Sequence, residues 1–315
     1  MKSFTIKMDD GYELCLNRWQ PDSEEDIKGV IQLHHGLAEH SLRYDRFGSV
    51  LAENGYVLNA YDMRGHGRSA ELADKNGNGM FGKLADKKGF DRAVEDLKAV
   101  IDNLKRDFPG KKTILFGHSF GSFVSQGFIE EYGKEIDACI LCGTAGPQKL
   151  LVGFGNIAAH LITFFTGKNK CLPILESLSF GSYNARVNPV RTKCDWLSKN
   201  ELNVDMYMMD NWCGIPLTNS FYCSMVEGLS KIHKSKNINK IPNNLPVFFI
   251  YGGDDPVGAY GKTIKALFNI YKAKGMEKVD IKEYPGDRHE ILNENDKEQV
   301  ENDIINWIDL TCTRN

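Results

Sequence analysis

No excess of either charge runs through this chain: 39 Lys and Arg face 42 Asp and Glu, and the formal net charge is −3. That balance gives no electrostatic footprint for nucleic acid, and none is expected as a partner. A secretory leader is missing as well. The opening "MKSFTIKMDDGYELCLNRW" goes straight into alternating polar and apolar residues, so a cytoplasmic protein is expected. Long hydrophobic runs are scarce. The greasiest stretch, "LLVGFGNIAAHLITFFTG", is interrupted by Asn156 and His160 and is expected to fall short of a membrane span. Internal repeats and low-complexity tracts are lacking, which excludes solenoids and compositionally biased arrays.

Metal-binding spacing is lacking too. Eight cysteines in a chain of 315 residues without an export signal are expected to stay reduced. Cys139 and Cys142 make one CxxC, but no second pair or matching histidine spacing accompanies it. "DACILCG" reads as a buried strand whose two thiols point to opposite sides. His34, His35, His40 and His66 show no helical zinc-ligand spacing and are assigned to loop architecture. Neither a metal nor a cofactor is expected.

What the chain does have is rhythm. Eight short apolar or β-branched runs read as strands: "SFTIKM", "YELCLNRW", "GVIQLHH", "YVLNAYD", "TILFGHS", "DACILCG", "PVFFIYGG" and "VDIKEYPG". The first two alternate across "DDG" and should pair antiparallel. The others are near-continuous apolar runs, as strands covered on both faces must be. Helical segments lie between them; in one, Phe90, Val94, Leu97, Ile101 and Leu104 form an apolar stripe at spacings of three and four. Alternating strands and helices imply an α/β fold, a mostly parallel sheet with helices on both faces. Strand rhythm lapses over 146–240, so core segments 1–145 and 241–315 are expected to flank an inserted, mainly helical cap. A greasy face within it, Leu151, Phe154, Ile157, Leu161 and Phe164, reads as acyl-tunnel lining, as a membrane-surface contact, or as packing against the sheet.

The chemistry centres on "TILFGHSFGSF". A Gly-x-Ser-x-Gly arises by chance about once in seven chains of this composition, so the match alone carries little. Its setting carries more, because an apolar strand precedes it and a helix follows, which is the geometry of a nucleophile elbow. Ser119 is the candidate nucleophile, with Gly117 and Gly121 providing clearance. A serine hydroxyl needs a base oriented by an acid. Loops at the ends of later strands, "DDPVG" and "YPGDRHEIL", supply Asp255 and His289 in the order Ser, Asp, His. Asp254 or Asp255 is also expected to cap a helix starting near Val257. For the oxyanion, backbone amides of Phe120 and of Leu37, after the bend at Gly36, are the candidate donors.

The motifs "LHHGLAEHSLRY", "AYDMRGHGRS", "LFGHSFGSF", "YGGDDPVG" and "YPGDRHEILNE", in order from about residue 10 to 310, resemble the monoacylglycerol lipase and lysophospholipase group of α/β-hydrolases, also labelled serine-aminopeptidase-like hydrolases. The resemblance implies the α/β-hydrolase fold, an oxyanion amide at Leu37, and the triad Ser119, Asp255 and His289. It also implies a cap around "DWLSKNELNVDMYMMDNWCGIPLT". Where relatives often carry GHSMGG this chain has GHSFGS, so Phe120 is expected to place an aromatic ring beside the oxyanion hole. The expected function is a serine hydrolase cleaving esters of single-chain lipids, a monoacylglycerol or lysophospholipid, through an acyl-enzyme. Three alternatives remain: an aminopeptidase-like amide hydrolase using an acidic group such as Glu176, Glu201 or Asp210, a short-chain or aryl carboxylesterase, and a non-catalytic receptor. A serine nucleophile excludes the dehalogenases and epoxide hydrolases of this fold, which need a carboxylate.

Overall fold

All eight expected strands form, and they join one sheet. They are β1 (Lys2–Lys7), β2 (Glu13–Trp19), β3 (Gly29–His34), β4 (Tyr56–Tyr61), β5 (Lys112–His118), β6 (Ala138–Cys142), β7 (Val247–Gly252) and β8 (Val279–Tyr284), in a computed structural model that describes residues 1–312. Their spatial order is β1-β2-β4-β3-β5-β6-β7-β8. The alternating strands pair antiparallel, Lys2 opposite Arg18 through Lys7 opposite Glu13, and β2 runs antiparallel to β4. From β4 onward every pair is parallel. Residues of β3, β4, β6 and β7 are buried along their whole length, which explains their unbroken apolar character.

Eleven helices are described: α1 (Asp45–Glu53), α2 (Gly67–Lys75), α3 (Gly89–Asp107), α4 (Phe120–Tyr132), α5 (Lys149–Thr166), α6 (Pro173–Phe180), α7 (Glu201–Met209), α8 (Asn219–Ile232), α9 (Ser235–Ile238), α10 (Lys262–Ala273) and α11 (Lys297–Cys312). The predicted stripe of α3 is buried from Phe90 to Leu104; Phe90, Val94, Leu97 and Ile101 share one core with α4, α8 and α10, and Leu104 packs with Ile27, Val30 and Val57. Helices α1 and α11 cover the opposite face through Phe47, Leu51, Ile304 and Ile308. Cys139 belongs to the first core and Cys142 to the second, as residues three apart on a strand must.

Three local expectations need correction. Helix α2 was not anticipated; "GRSAELADK" starts on a glycine at φ +50° and offers only a weak apolar stripe. Helix α10 begins at Lys262 rather than near Val257, because Ala259, Tyr260 and Gly261 all take positive φ and hold 254–261 in turns. Asp255 therefore caps no helix; its Oδ1 accepts the Val257 amide at 2.9 Å across a short turn. Third, the greasy run is one unbroken 18-residue helix, α5, long and apolar enough by length and composition to cross a membrane.

Between β6 and β7 the described residues form helices α5 to α9 and short turns, with no strand. Helix α8 packs into the core through Phe221, whereas α5 buries only Ala159. Core packing is thus excluded for the outer side of α5, where Phe154, Ile157, Leu161 and Phe164 are exposed.

Candidate active site

Because β3, β5, β6, β7 and β8 run parallel, their carboxyl ends share one edge of the sheet, and the loops leaving that edge carry Leu37, Ser119, Asp255 and His289. Ser119 stands between β5 and α4 at φ +53° and ψ −121°, a backbone conformation unusual for a side-chain-bearing residue. Its amide donates to the Cys142 carbonyl at 2.9 Å, and its carbonyl accepts from the Ser122 amide at 2.8 Å and the Ser122 hydroxyl at 2.5 Å. Clearance is what the flanking glycines supply: a Cβ on Gly121 would stand 2.1 Å from the His34 carbonyl oxygen, and one on Gly117 2.6 Å from the Gly121 oxygen. Phe120 opens α4, so its amide is one of the first-turn donors without a partner inside the helix. Its ring is fully buried against Phe90 and Phe221 and does not line the cavity, which corrects the expectation of an aromatic ring beside the oxyanion hole.

Asp255 is fully buried after β7, and its Oδ2 accepts from His289 Nδ1 at 2.9 Å. A carboxylate can only accept, so the hydrogen of that bond sits on Nδ1 and Nε2 keeps its lone pair. The His289 ring packs at 5.1 Å from Trp196 and 4.8 Å from His118. Ser119, His289, Leu37 and Glu290 line one cavity of about 190 Å³, whose remaining wall is mostly apolar. Leu151, Val152, Ala158 and Ala159 of α5 are part of that wall, so the inner side of α5 faces the cavity and the rest of the greasy face does not. Glu176, Glu201 and Asp210, the acidic groups considered for a substrate amine, are not among its lining residues.

A buried polar network, unassigned from sequence, holds the loop that carries Leu37. Glu39 Oε1 accepts from the Gly36 amide at 2.6 Å and the Tyr44 hydroxyl at 2.9 Å, and faces His118 Nδ1 at 3.2 Å. Arg43 binds Glu39 at 3.0 Å and both oxygens of Glu290 at 2.5 and 2.7 Å, while Asn203 of α7 reaches Glu290 at 2.7 Å. Burial works against the Glu39 carboxylate, yet the His118 hydrogen bond and Arg43 charge outweigh it and hold the group well below the usual range. Burial likewise pulls the His118 imidazole down, and Glu39, with Glu290 behind it, lifts it above its ordinary value. Every member lies inside a quoted motif, but the spacing of "HHGLAEHSLRY" does not say which side chains turn inward. Leu37 shares this loop. The next carbonyl, Ala38, accepts from Tyr207 Oη at 2.8 Å and the Gly214 amide at 2.9 Å, so the insert holds the residue next to the candidate oxyanion donor.

The clustered histidines divide. Burial lowers His34 and His66 to about 3 and pulls His35 down, leaving neutral rings. His34 Nδ1 donates to the His35 carbonyl at 3.0 Å, and His35 Nε2 accepts the Met63 amide at 3.0 Å, so these two rings brace loops. His40 instead reaches across to Asp210.

A family model described as Serine aminopeptidase, S33 (Hydrolase_4) matches residues 25–296. The chain is 24% identical over 308 residues to a monoacylglycerol lipase of Mycolicibacterium smegmatis, covering 95% of this chain and 93% of that protein. It is 25% identical over 309 residues to a monoglyceride lipase of Homo sapiens, covering 96% and 87%. Among solved structures, a highly thermostable carboxyl esterase from Bacillus coagulans in complex with glycerol is similar with a TM-score of 0.89 at 26% identity, over 99% of this chain and 98% of that one. A soluble variant of monoglyceride lipase from Saccharomyces cerevisiae is similar in fold, with a TM-score of 0.71 at 19% identity over 98% and 95% of the two chains. The matched span takes in the turn at Ser119 and the loops of Asp255 and His289, and the chain belongs to the serine aminopeptidase S33 family of α/β-hydrolases.

Proposed function

We propose that this serine ester hydrolase cleaves the one ester bond of a single-chain lipid, a monoacylglycerol or a lysophospholipid, through an acyl-enzyme on Ser119. The observation that carries this reading is the shared cavity: Ser119 and His289 border it, and Leu175, Leu178, Val226 and Leu229 supply apolar wall for an acyl chain. The names of the relatives, monoacylglycerol lipase and carboxyl esterase, support the same chemistry.

His289 Nε2 takes the Ser119 proton as Oγ attacks the ester carbonyl. Negative charge then develops on the carbonyl oxygen, and the Leu37 and Phe120 amides receive it. Collapse expels the alcohol with the proton returned by His289, leaving the acyl group on Ser119. Water, deprotonated by the same ring, releases the fatty acid and restores the serine. Asp255 holds the imidazole in the required tautomer throughout.

The insert acts as the cap over this cavity, and the outer side of α5 rests on a membrane surface that supplies the lipid. Phe154, Ile157, Leu161 and Phe164 form its exposed apolar band, with Lys149 at one end and Lys168 and Lys170 just beyond the other. An adjoining cavity of about 220 Å³ shares Gln148, Val152, Leu229 and His233 with the first and is bordered by Lys149 and Lys234, which suits an anionic head group.

A panel of p-nitrophenyl esters of increasing chain length, 1-acyl and 2-acyl glycerols and lysophosphatidylcholine tests the reading. Long-chain glycerides or lysolipids should be turned over, and Ser119→Ala should lose about 10³-fold or more of that activity and all fluorophosphonate labelling, with its melting temperature preserved. Cleavage of aminoacyl naphthylamides without acyl glycerols would transfer the assignment to the amide hydrolase.

A further inference from the structure

One cluster outside the lining of the Ser119 cavity gathers three metal-ligating side chains of different chemistry. His40 lies on the loop after β3, whereas Asp210 and Cys213 sit in the turn following α7. One ligand atom from each lies within 4.8 Å of the other two, and no ion is present. His40 Nε2 is 2.8 Å from Asp210 Oδ2. His40 and Cys213 are buried and Asp210 is half-buried, so the cluster meets solvent on its carboxylate side.

We propose that His40, Asp210 and Cys213 form a binding site for a thiophilic divalent cation of the zinc type, which fastens the insert to the loop carrying Leu37.

The donor set decides the class of ion. An imidazole, a carboxylate and a thiolate suit zinc or cobalt, while magnesium and calcium require oxygen donors throughout. Tetrahedral zinc bonds place ligand atoms roughly 3.2 to 3.8 Å apart, so a span of 4.8 Å closes with small side-chain rotations. Nε2, which faces Asp210 at 2.8 Å, is the ring nitrogen the cluster offers to an ion, and Nδ1 lies buried on the far side of the ring. The ligands are already braced. Asp210 Oδ1 accepts the Trp212 amide at 2.8 Å, and the Trp212 ring packs edge-on to His40 at 5.1 Å. Arg43, the nearby cation, is engaged by Glu39 and Glu290.

Binding moves the Cys213 thiol proton to solvent and the His40 hydrogen from Nε2 to Nδ1, so that Nε2 can ligate, and the thiolate and Asp210 carboxylate together neutralise the dication. Solvent completes the fourth position on the open side. The consequence follows from position: His40 is two residues beyond Ala38, whose carbonyl already accepts from Tyr207 and Gly214 of the insert. An ion here adds coordinate bonds to that joint and makes the insert harder to lift.

Cobalt(II) titration of the intact, reduced protein is the test. One equivalent should give a thiolate-to-cobalt charge-transfer band with the visible bands of a four-coordinate ion, zinc should displace it, and zinc should raise the melting temperature. Cys213→Ser should abolish the band, and Asp210→Asn, which can keep the bond to His40, should weaken cobalt binding about tenfold. Cys171→Ser, at the exposed cysteine, should change neither. No band in the wild-type protein, or a band that survives Cys213→Ser, overturns the proposal. Should Cys213→Ser not fold, unchanged cobalt affinity in Asp210→Asn overturns it equally.

Discussion

Asp255 and His289 meet through a single 2.9 Å contact between Oδ2 and Nδ1, and in the proposed mechanism that contact selects Nε2 as the ring nitrogen that serves Ser119. Asp255→Asn preserves the shape, but its amide can donate to Nδ1 and hold the ring in the opposite tautomer. Turnover of a p-nitrophenyl ester should fall about 10³- to 10⁴-fold with little change in folding, and a variant retaining most of its kcat would remove Asp255 from the mechanism. These residues were legible one at a time because each follows the end of an apolar strand. Glu39, Arg43, His118 and Glu290 were not, although they stand among the same motif letters. Their role depends on burial and on partners up to 247 positions away, as in Arg43 with Glu290.

Helix α5 shows how one element serves two sides. Gly155, Ala158 and Ala159 face the cavity together with Leu151 and Val152, while Phe154, Ile157, Leu161 and Phe164 point out. Periodicity marked one greasy face but could not say which side would be covered, since both sides of the helix are apolar. The double substitution Phe154→Glu with Phe164→Glu should weaken sedimentation with anionic phospholipid vesicles by about tenfold or more. Hydrolysis of a water-soluble short-chain ester should be unaffected. Equal vesicle binding by the variant and the parent would show that the exposed band does not meet the lipid.

At the scale of the whole molecule, one buried acid makes stability depend on pH. Glu130 in α4 is 2% exposed, and neither of its carboxylate oxygens has a hydrogen-bond partner. Burial, with the Glu131 charge added, raises its pKa from 4.5 to about 9, against the pull of Lys231 and Lys240. A folded-state pKa above the unfolded one means that the folded protein retains a proton the unfolded chain releases. The contribution is therefore fully present below about pH 4.5 and is lost as pH rises toward 9, at up to about 1.4 kcal/mol per pH unit. Glu130→Gln removes the titration. Its melting temperature relative to the parent should climb between pH 5 and pH 9, and a constant offset across that range would show that Glu130 is not held protonated.

Local pattern alone determined the strand set, the parallel sheet and the three loops that carry Ser119, Asp255 and His289, because apolar period and strand ends are properties of neighbouring residues. Tertiary structure decided the rest: which side of α5 meets solvent, where the Phe120 ring goes, and that His40 meets Asp210 across 170 positions. Those outcomes arise from packing and from hydrogen bonds between distant segments, whose energies depend on a three-dimensional neighbourhood that no short window of sequence contains.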